Sequence, residues 1–368
     1  MIRKIWINCS EASGDMCAGA LAAELLRQRP ALEIGGLGGP MLARAGASVH
    51  FPMSRICFSG FLHVLRAIPD IVRLRREITA HWMRDRPDAV VMVDCPDFNL
   101  PLAKAAHAQG IPVYYFMAPQ LWAWRQGGID ILREHVRTVI CGLPFEPDYF
   151  RDRGCRAEYA GHPLHDIIPL ERLDRQAPEH NRVGLMPGSR RKEVAFLLPV
   201  FAEAAAMIRR QHPGVVFSIA RAPGIDRAFL LKYWPPGLAA RVVEPQERFR
   251  MIRSASLVLA ASGTATLETA LIGTPTIVAY KLDRPAAFLL RQRALSRFIC
   301  LANIVSGQEI FPEYLQERAT AENLGRHAAA WLHAPAALRG LRVRLGELRH
   351  AVGPAGGMRA AARTILAH

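Results

Sequence analysis

Short apolar runs that suit strands alternate with longer amphipathic stretches that suit helices over most of this chain. Strand-like runs fall at residues 5–9, 34–37, 89–93, 113–117, 138–141 and 156–159, with helix-like stretches at 15–27, 69–84 and 100–109. The run Ala89-Val90-Val91-Met92-Val93 is apolar throughout, as expected of a strand buried on both faces of a parallel sheet. The pattern lapses between Gly161 and Asn181, where Pro163, Pro169 and Pro178 punctuate a polar, charged stretch that reads as the interdomain linker. A second series follows at 183–186, 215–220, 241–243, 257–260 and 276–280, and from residue 335 onward the Ala/Leu/Arg-rich sequence predicts helix. The expected fold class is therefore α/β. A first domain covers 1–165, the linker 166–181, a second domain 182–334 and a C-terminal helical segment 335–368. Two doubly wound parallel-sheet domains facing each other across a ligand cleft are the economical arrangement.

A chain of 368 residues exceeds one ordinary domain, and 51% apolar against 21% charged residues can fill two cores. The formal charge of +15 calls for an anionic partner: nucleic acid, a phosphorylated small molecule or an acidic membrane surface. Nucleic acid is not expected, because neither a helix-turn-helix signature nor an aromatic–basic RNA motif occurs. No apolar run approaches the roughly 18 residues of a membrane-spanning helix. The N-terminus meets Arg3 and Lys4 too soon for a signal peptide and predicts a first strand. Seven scattered cysteines without CxxC or Cys/His spacing read as buried hydrophobes of a reducing cytoplasm.

Two cassettes carry the candidate chemistry of the second domain. Pro187-Gly188-Ser189-Arg190 and Ser262-Gly263-Thr264-Ala265-Thr266-Leu267-Glu268 each follow a strand-like run and open a helix-like one. Such turns point backbone N–H groups at anions. Arg190 suits a diphosphate, with Ser189, Ser262, Gly263 and Thr264 around it, and Arg191 and Lys192 adding field. Glu268 is placed to accept from ribose hydroxyls, or alternatively is an acid answering the helix dipole. The combination suits a sugar nucleotide. In the first domain Asp94 ends the run 89–93, where open α/β sheets bind ligands, and is the candidate base; a loop-anchoring role is the alternative. Asp97 reads as the N-cap or a first-turn acid of the next helix. Glu11, in the first strand–loop–helix, reads as a helix-capping acid alongside Ser13 and Asp15. Trp122 and Trp124 have strand or turn spacing, with core packing expected for at least one, and His162 reads as a junction residue. No carboxylate cluster has metal-ligand spacing, so neither a metal nor another cofactor is expected.

The runs Ser10-Glu11-Ala12-Ser13-Gly14-Asp15, Asp94-Cys95-Pro96-Asp97-Phe98-Asn99, Trp122-Ala123-Trp124-Arg125-Gln126, Gly142-Leu143-Pro144-Phe145-Glu146 and Gly161-His162 occur in one order with the two cassettes. This order resembles the lipid-A-disaccharide synthases, over essentially the whole chain. The resemblance implies a metal-independent, inverting GT-B glycosyltransferase. Such an enzyme joins UDP-2,3-diacylglucosamine to 2,3-diacylglucosamine 1-phosphate, giving the β-1,6 disaccharide phosphate and UDP. It marks 94–99 as active-site, implies for Glu11, as the alternative to capping, an acceptor-side hydrogen-bonding or second base role, implies that Asn303 lines the ligand site, and leaves assembly as a homo-oligomer open. Ser10, Ser59, His63 and Ala302 depart from the family pattern. Another UDP-sugar enzyme of the same fold, a peptidoglycan N-acetylglucosaminyltransferase or a UDP-sugar 2-epimerase, is the alternative.

The resemblance also implies a cytoplasmic protein attached peripherally to the inner membrane. Two segments suit an anionic membrane surface. Arg66, Arg73, Arg75 and Arg76 sit among Phe58, Phe61, Leu62, Ile68 and Val72, and 281–298 mixes Lys281, Arg284, Arg291, Arg293 and Arg297 with Phe288, Leu289 and Phe298.

Overall fold

The computed structural model describes residues 2–56, 61–124, 126–283, 287 and 296–367, with backbone alone at 61–66, 124 and 126. The chain forms two units, Met1–Ile167 with Val352–His368, and Ile168–Ala351. In the first, among the described residues, seven strands form one parallel sheet in the order β3-β2-β1-β4-β5-β6-β7. They are β1 (Lys4–Asn8), β2 (Glu33–Gly38), β3 (Ser48–Pro52), β4 (Ala89–Val93), β5 (Val113–Phe116), β6 (Thr138–Cys141) and β7 (Ala157–Tyr159). Successive side chains of a strand point to opposite faces. Trp6, Val90, Met92 and Tyr115 accordingly enter one core, while Ile5, Ile7, Val91, Val93, Tyr114 and Phe116 enter the other. Both faces are dry, which is why these strands read as continuous apolar runs.

The second unit repeats the logic with β8 (Arg182–Met186), β9 (Val216–Ala220), β10 (Ala240–Val243), β11 (Leu257–Ala261), β12 (Thr276–Tyr280) and β13 (Glu313–Leu315). Their order is β10-β9-β8-β11-β12-β13, again all parallel. The strand order reverses once in each sheet, at β1/β4 and at β8/β11. These reversals are the topological switch points at which open α/β sheets leave a crevice outside the strand C-termini.

Several boundaries differ from the expected ones for local reasons. β3 and β13 are edge strands of half-buried or exposed residues, so they lack the apolar signature. The helices Phe61–Arg84 and Pro96–Ala108 begin earlier than the sequence pattern suggests, running through Pro69 and Pro101. The stretch 166–181 is not irregular throughout: the helix Leu170–Asp174 buries Leu170 and Leu173. The C-terminal segment divides. The helix Pro335–Ala351 stays with the second unit, where Arg342 donates to the carbonyls of Gly273 at 2.7 Å and Ala255 at 2.8 Å. The helix Gly357–Leu366 instead buries Met358, Ala361, Ala362 and Ile365 in the first unit's core. Its start is fixed by Asp166, whose carboxylate accepts from the N–H groups of Gly356 at 2.6 Å and Met358 at 2.7 Å.

Asp15 does comparable work near the first sheet. Buried in the helix Ala12–Gln28, it accepts from the backbone N–H groups of Gly39 (2.8 Å), Met41 (2.9 Å) and Leu42 (3.1 Å). It thereby caps the helix Pro40–Arg44 from outside rather than its own. Asp15→Ala should destabilise the protein by about 3 kcal/mol or more, because buried donors lose their acceptor. Calorimetric melting at the wild-type temperature would contradict this role.

Candidate active site

At the first unit's switch point the chain leaves β1 through Cys9-Ser10-Glu11 and leaves β4 through Asp94-Cys95, side by side because Asn8 pairs with Met92. Asp94 and Cys95 both adopt left-handed backbone, with φ of +50° and +46°. That conformation costs about 1–2 kcal/mol for each residue with a Cβ. Two buried side chains hold the turn: the Asp94 carbonyl accepts from the Tyr115 hydroxyl at 2.6 Å and from Asn99 Nδ2 at 2.7 Å. With the chain bent this sharply, the helix Pro96–Ala108 starts immediately, with Pro96 at its first position. Cys95 occupies the N-cap, and Asp97 is an exposed first-turn acid, the second of its two expected placements.

The Cys95 thiol reports what surrounds the turn. Burial pushes it up to about 11, a hydrogen bond with Ser10 works against that shift, and the charges of Asp94 and Glu11 add to it. Glu11 and Asp94, far apart in sequence, thus approach one thiol. Glu11 stands at the N-cap of Ala12–Gln28 without a side-chain capping bond. Glu146, which sequence reasoning left without a role, is also here. Only 2% exposed, it accepts from the N–H groups of Gly142 at 3.1 Å and Leu143 at 3.0 Å and from Trp122 Nε1 at 3.1 Å. It fastens the loop after β6 to the Trp122 segment. His162 is buried and neutral, held down to about 3 by burial, and its Nδ1 accepts from the Leu164 N–H at 3.2 Å.

At the second unit's switch point, Gly188 and Gly263 take φ of +119° and +143° after β8 and β11. A Cβ on Gly188 would lie 2.6 Å from Glu193. That contact exists because Glu193 Oε2 accepts from the N–H groups of Ser189 (3.0 Å) and Arg190 (3.3 Å), while its Oε1 meets Arg190 Nη1 at 3.3 Å. The backbone donors expected for a phosphate are therefore answered by the chain's own carboxylate. Glu193 lies three residues past Arg190, a capping-box spacing that could have been read from the sequence. Ser189 and Arg190 both remain exposed.

Gly263 is the N-cap of the helix Thr264–Ile272, whose first N–H groups have no intrahelical partner by construction. Ser262, expected to bind substrate, donates its hydroxyl to the Ile299 carbonyl at 3.2 Å. Glu268 is 5% exposed, and Arg248 grips it with a two-pronged fork, Nε and Nη2 each 3.2 Å from one carboxylate oxygen. Arg248 was not foreseen; it opens the helix Arg248–Ser254, 20 residues away in sequence, and no local motif announces it. Asn303, which the resemblance places on the ligand site, fastens the segment after the helix Leu301–Ser306. It is fully buried, its Oδ1 accepting from Ile310 and Phe311 N–H and its Nδ2 donating to the Phe311 carbonyl and Glu313 Oε1. All four hydrogen-bonding positions of its amide are filled within the chain.

Among the described residues no group of three or more His, Cys, Asp or Glu side chains is arranged to hold a metal ion, and no helix is long and apolar enough to cross a membrane. On the helix Phe61–Arg84, Ile68 and Val72 are exposed beside exposed Arg73 and Arg76. Phe58, the side chains of Phe61, Leu62 and Arg66, and Arg284, Phe288, Leu289, Arg291 and Arg293 lie outside the described residues, as do Arg125 and the Trp124 side chain.

Burial, opposed by its three hydrogen bonds, pushes the Glu146 carboxyl up to about 7. A raised carboxyl pKa makes the folded state the better proton binder, so its contribution is fully present below about pH 4 and is lost as pH rises through about 7. Glu146→Gln should therefore flatten the wild-type loss of stability from pH 5 to pH 8, by roughly 3 kcal/mol at most. Parallel stability–pH curves for the two proteins would refute the buried-carboxyl account.

The sequence model of the lipid-A-disaccharide synthetase family matches residues 5–337. The lipid-A-disaccharide synthase of Azoarcus sp. (strain BH72) is 35% identical over 364 residues, covering 96% of this chain and 93% of the relative. Among solved structures, a UDP-GlcNAc 2-epimerase from Neisseria meningitidis bound to UDP-GlcNAc is similar with a TM-score of 0.64 at 12% identity, covering 99% of each chain. MurG of Acinetobacter baumannii is similar with a TM-score of 0.60 at 13% identity, covering 100% of each. At such identities the likeness speaks to the fold alone, which is GT-B. The family match runs through both sheets and every motif at their switch points, and the chain belongs to the lipid-A-disaccharide synthetase family.

Proposed function

We propose that the chain forms the lipid A disaccharide by moving 2,3-diacylglucosamine from its UDP ester to the 6-hydroxyl of 2,3-diacylglucosamine 1-phosphate. The new O6–C1 bond forms as the C1–O bond to the diphosphate breaks, with inversion at C1. Asp94 receives the hydroxyl proton, and UDP departs with the bonding electron pair. The observation that supports this reading is that Glu11 and Asp94 follow adjacent strands, within the range that the family model matches.

Each unit supplies part of the chemistry. On the second, Arg190 and the start of the helix Thr264–Ile272 offer positive charge to the leaving diphosphate, where charge develops. Glu193 already neutralises part of Arg190, so an arriving diphosphate competes with a carboxylate and must exchange hydrogen bonds with it. Glu268, immobilised by Arg248, is the acceptor for the ribose hydroxyls. On the first unit, the clamped turn presents Asp94 in one geometry, and Glu11 orients the attacking sugar. The substrates' acyl chains call for an apolar, anionic surface, and the exposed Ile68, Val72, Arg73 and Arg76 support peripheral contact with one.

Asp94→Asn keeps size and most hydrogen bonds but removes the proton acceptor, so turnover should fall about 10²–10⁴-fold while UDP affinity stays intact. Asp97→Asn, on an exposed first-turn residue, should cost little activity. Steady-state kinetics with mass-spectrometric detection of the disaccharide phosphate checks both. An active Asp94 variant beside a dead Asp97 variant would reverse the assignment, and two active variants would move the base role to Glu11.

A further inference from the structure

The arginines of the helix Phe61–Arg84 part company. Arg73 and Arg76 are exposed, whereas Arg75 is half-buried and turned toward the start of the helix Pro96–Ala108. Its guanidinium lies over the Phe98 ring, 5.4 Å from the centroid, and its Nη2 donates to the Asp97 carbonyl. Its Nε is buried and meets no hydrogen-bond partner among the described residues. Burial holds the guanidinium below its usual range, partly offset by the neighbouring Cys95 and Asp97. No carboxylate comes within ion-pair distance of it among the described residues. One carbonyl and one ring face are poor compensation for a partly desolvated cation, whose cost a membrane-facing arginine would not bear.

The location gives this a purpose. Asp97 and Cys95, the groups whose charges reach Arg75, flank the turn that begins with Asp94. We propose that Arg75 binds an anionic group of the acceptor, a phosphate monoester on the sugar, and so makes the enzyme select phosphorylated over uncharged acceptors. A guanidinium fixed against an aromatic ring offers a pre-set planar edge, and phosphate oxygens match that edge two at a time. Arg75 thereby leaves the membrane-facing set and joins the site. The inference rests on the proposed transfer reaction, because it requires the phosphorylated sugar to bind beside Asp94.

The test compares two acceptors with purified full-length protein in detergent: 2,3-diacylglucosamine 1-phosphate, and the same lipid with a neutral methyl group in place of the phosphate. Wild type should prefer the phosphate by about 10-fold or more in kcat/KM. Arg75→Ala should remove most of that preference, chiefly by raising KM for the phosphorylated acceptor, while the neutral acceptor changes by less than about twofold. Arg75→Lys should restore part of it, since a point charge replaces the fork. Equal losses on both acceptors would assign Arg75 to holding the Asp97 carbonyl and overturn the proposal, as would an unchanged preference. If the alanine variant does not fold, Arg75→Gln gives the same ratio with the volume kept. Wild type that forms no disaccharide from either acceptor would instead contradict the transfer reaction itself, so the two failures are distinguishable.

Discussion

A parallel sheet buried on both faces sends every chain exit out at the strand C-termini, and where the strand order reverses, neighbouring exits turn to opposite faces. The β1/β4 and β8/β11 reversals are such places, and the register pairs there, Asn8 with Met92 and Ala260 with Met186, bring distant sequence segments together. Glu11 and Asp94 end adjacent strands for this reason, and so do Arg190 and Gly263. The chemistry assigned to each unit depends on the two dry cores that keep those strands in register. A polar residue in β4, for instance, would disturb Asp94 by loosening the strand that carries it.

The loops at these exits contain many backbone N–H groups with no strand to receive them, and carboxylates answer them repeatedly. Asp15 takes three, Glu146 two plus an indole, Glu193 two, and Glu313 those of Ile299 and Cys300 at 3.0 Å each. Several hydrogen bonds gathered on one side chain fix a loop that would otherwise have several conformations. This sorts the acids of a motif by physics. Asp15 is structural although it shares a run with Glu11, and Glu193 occupies the backbone donors of the turn after β8 that carries Arg190.

The alternation of apolar runs made nearly all the central strands legible, because burial on both faces forces continuous hydrophobicity. The edge strands β3 and β13 escaped, since one or both faces are wet and no such force acts. The turns at Asp94 and Gly263 were legible as strand-to-helix junctions. What stayed hidden was pairing across the fold: Arg248 on Glu268, Trp122 on Glu146, and the burial that separates Arg75 from Arg73 and Arg76. The same holds for Asn303, whose four internal hydrogen bonds to Ile310, Phe311 and Glu313 no local motif announces.

The central claim is that the proposed reaction is transfer to a phosphorylated sugar, rather than hydrolysis or epimerisation of a UDP-sugar. The most direct measurement is UDP release from UDP-2,3-diacylglucosamine by the purified protein, with and without 2,3-diacylglucosamine 1-phosphate. The account predicts release only with that acceptor present, matched mole for mole by disaccharide phosphate. Release at the same rate without acceptor, or consumption of the donor without any disaccharide, would contradict it.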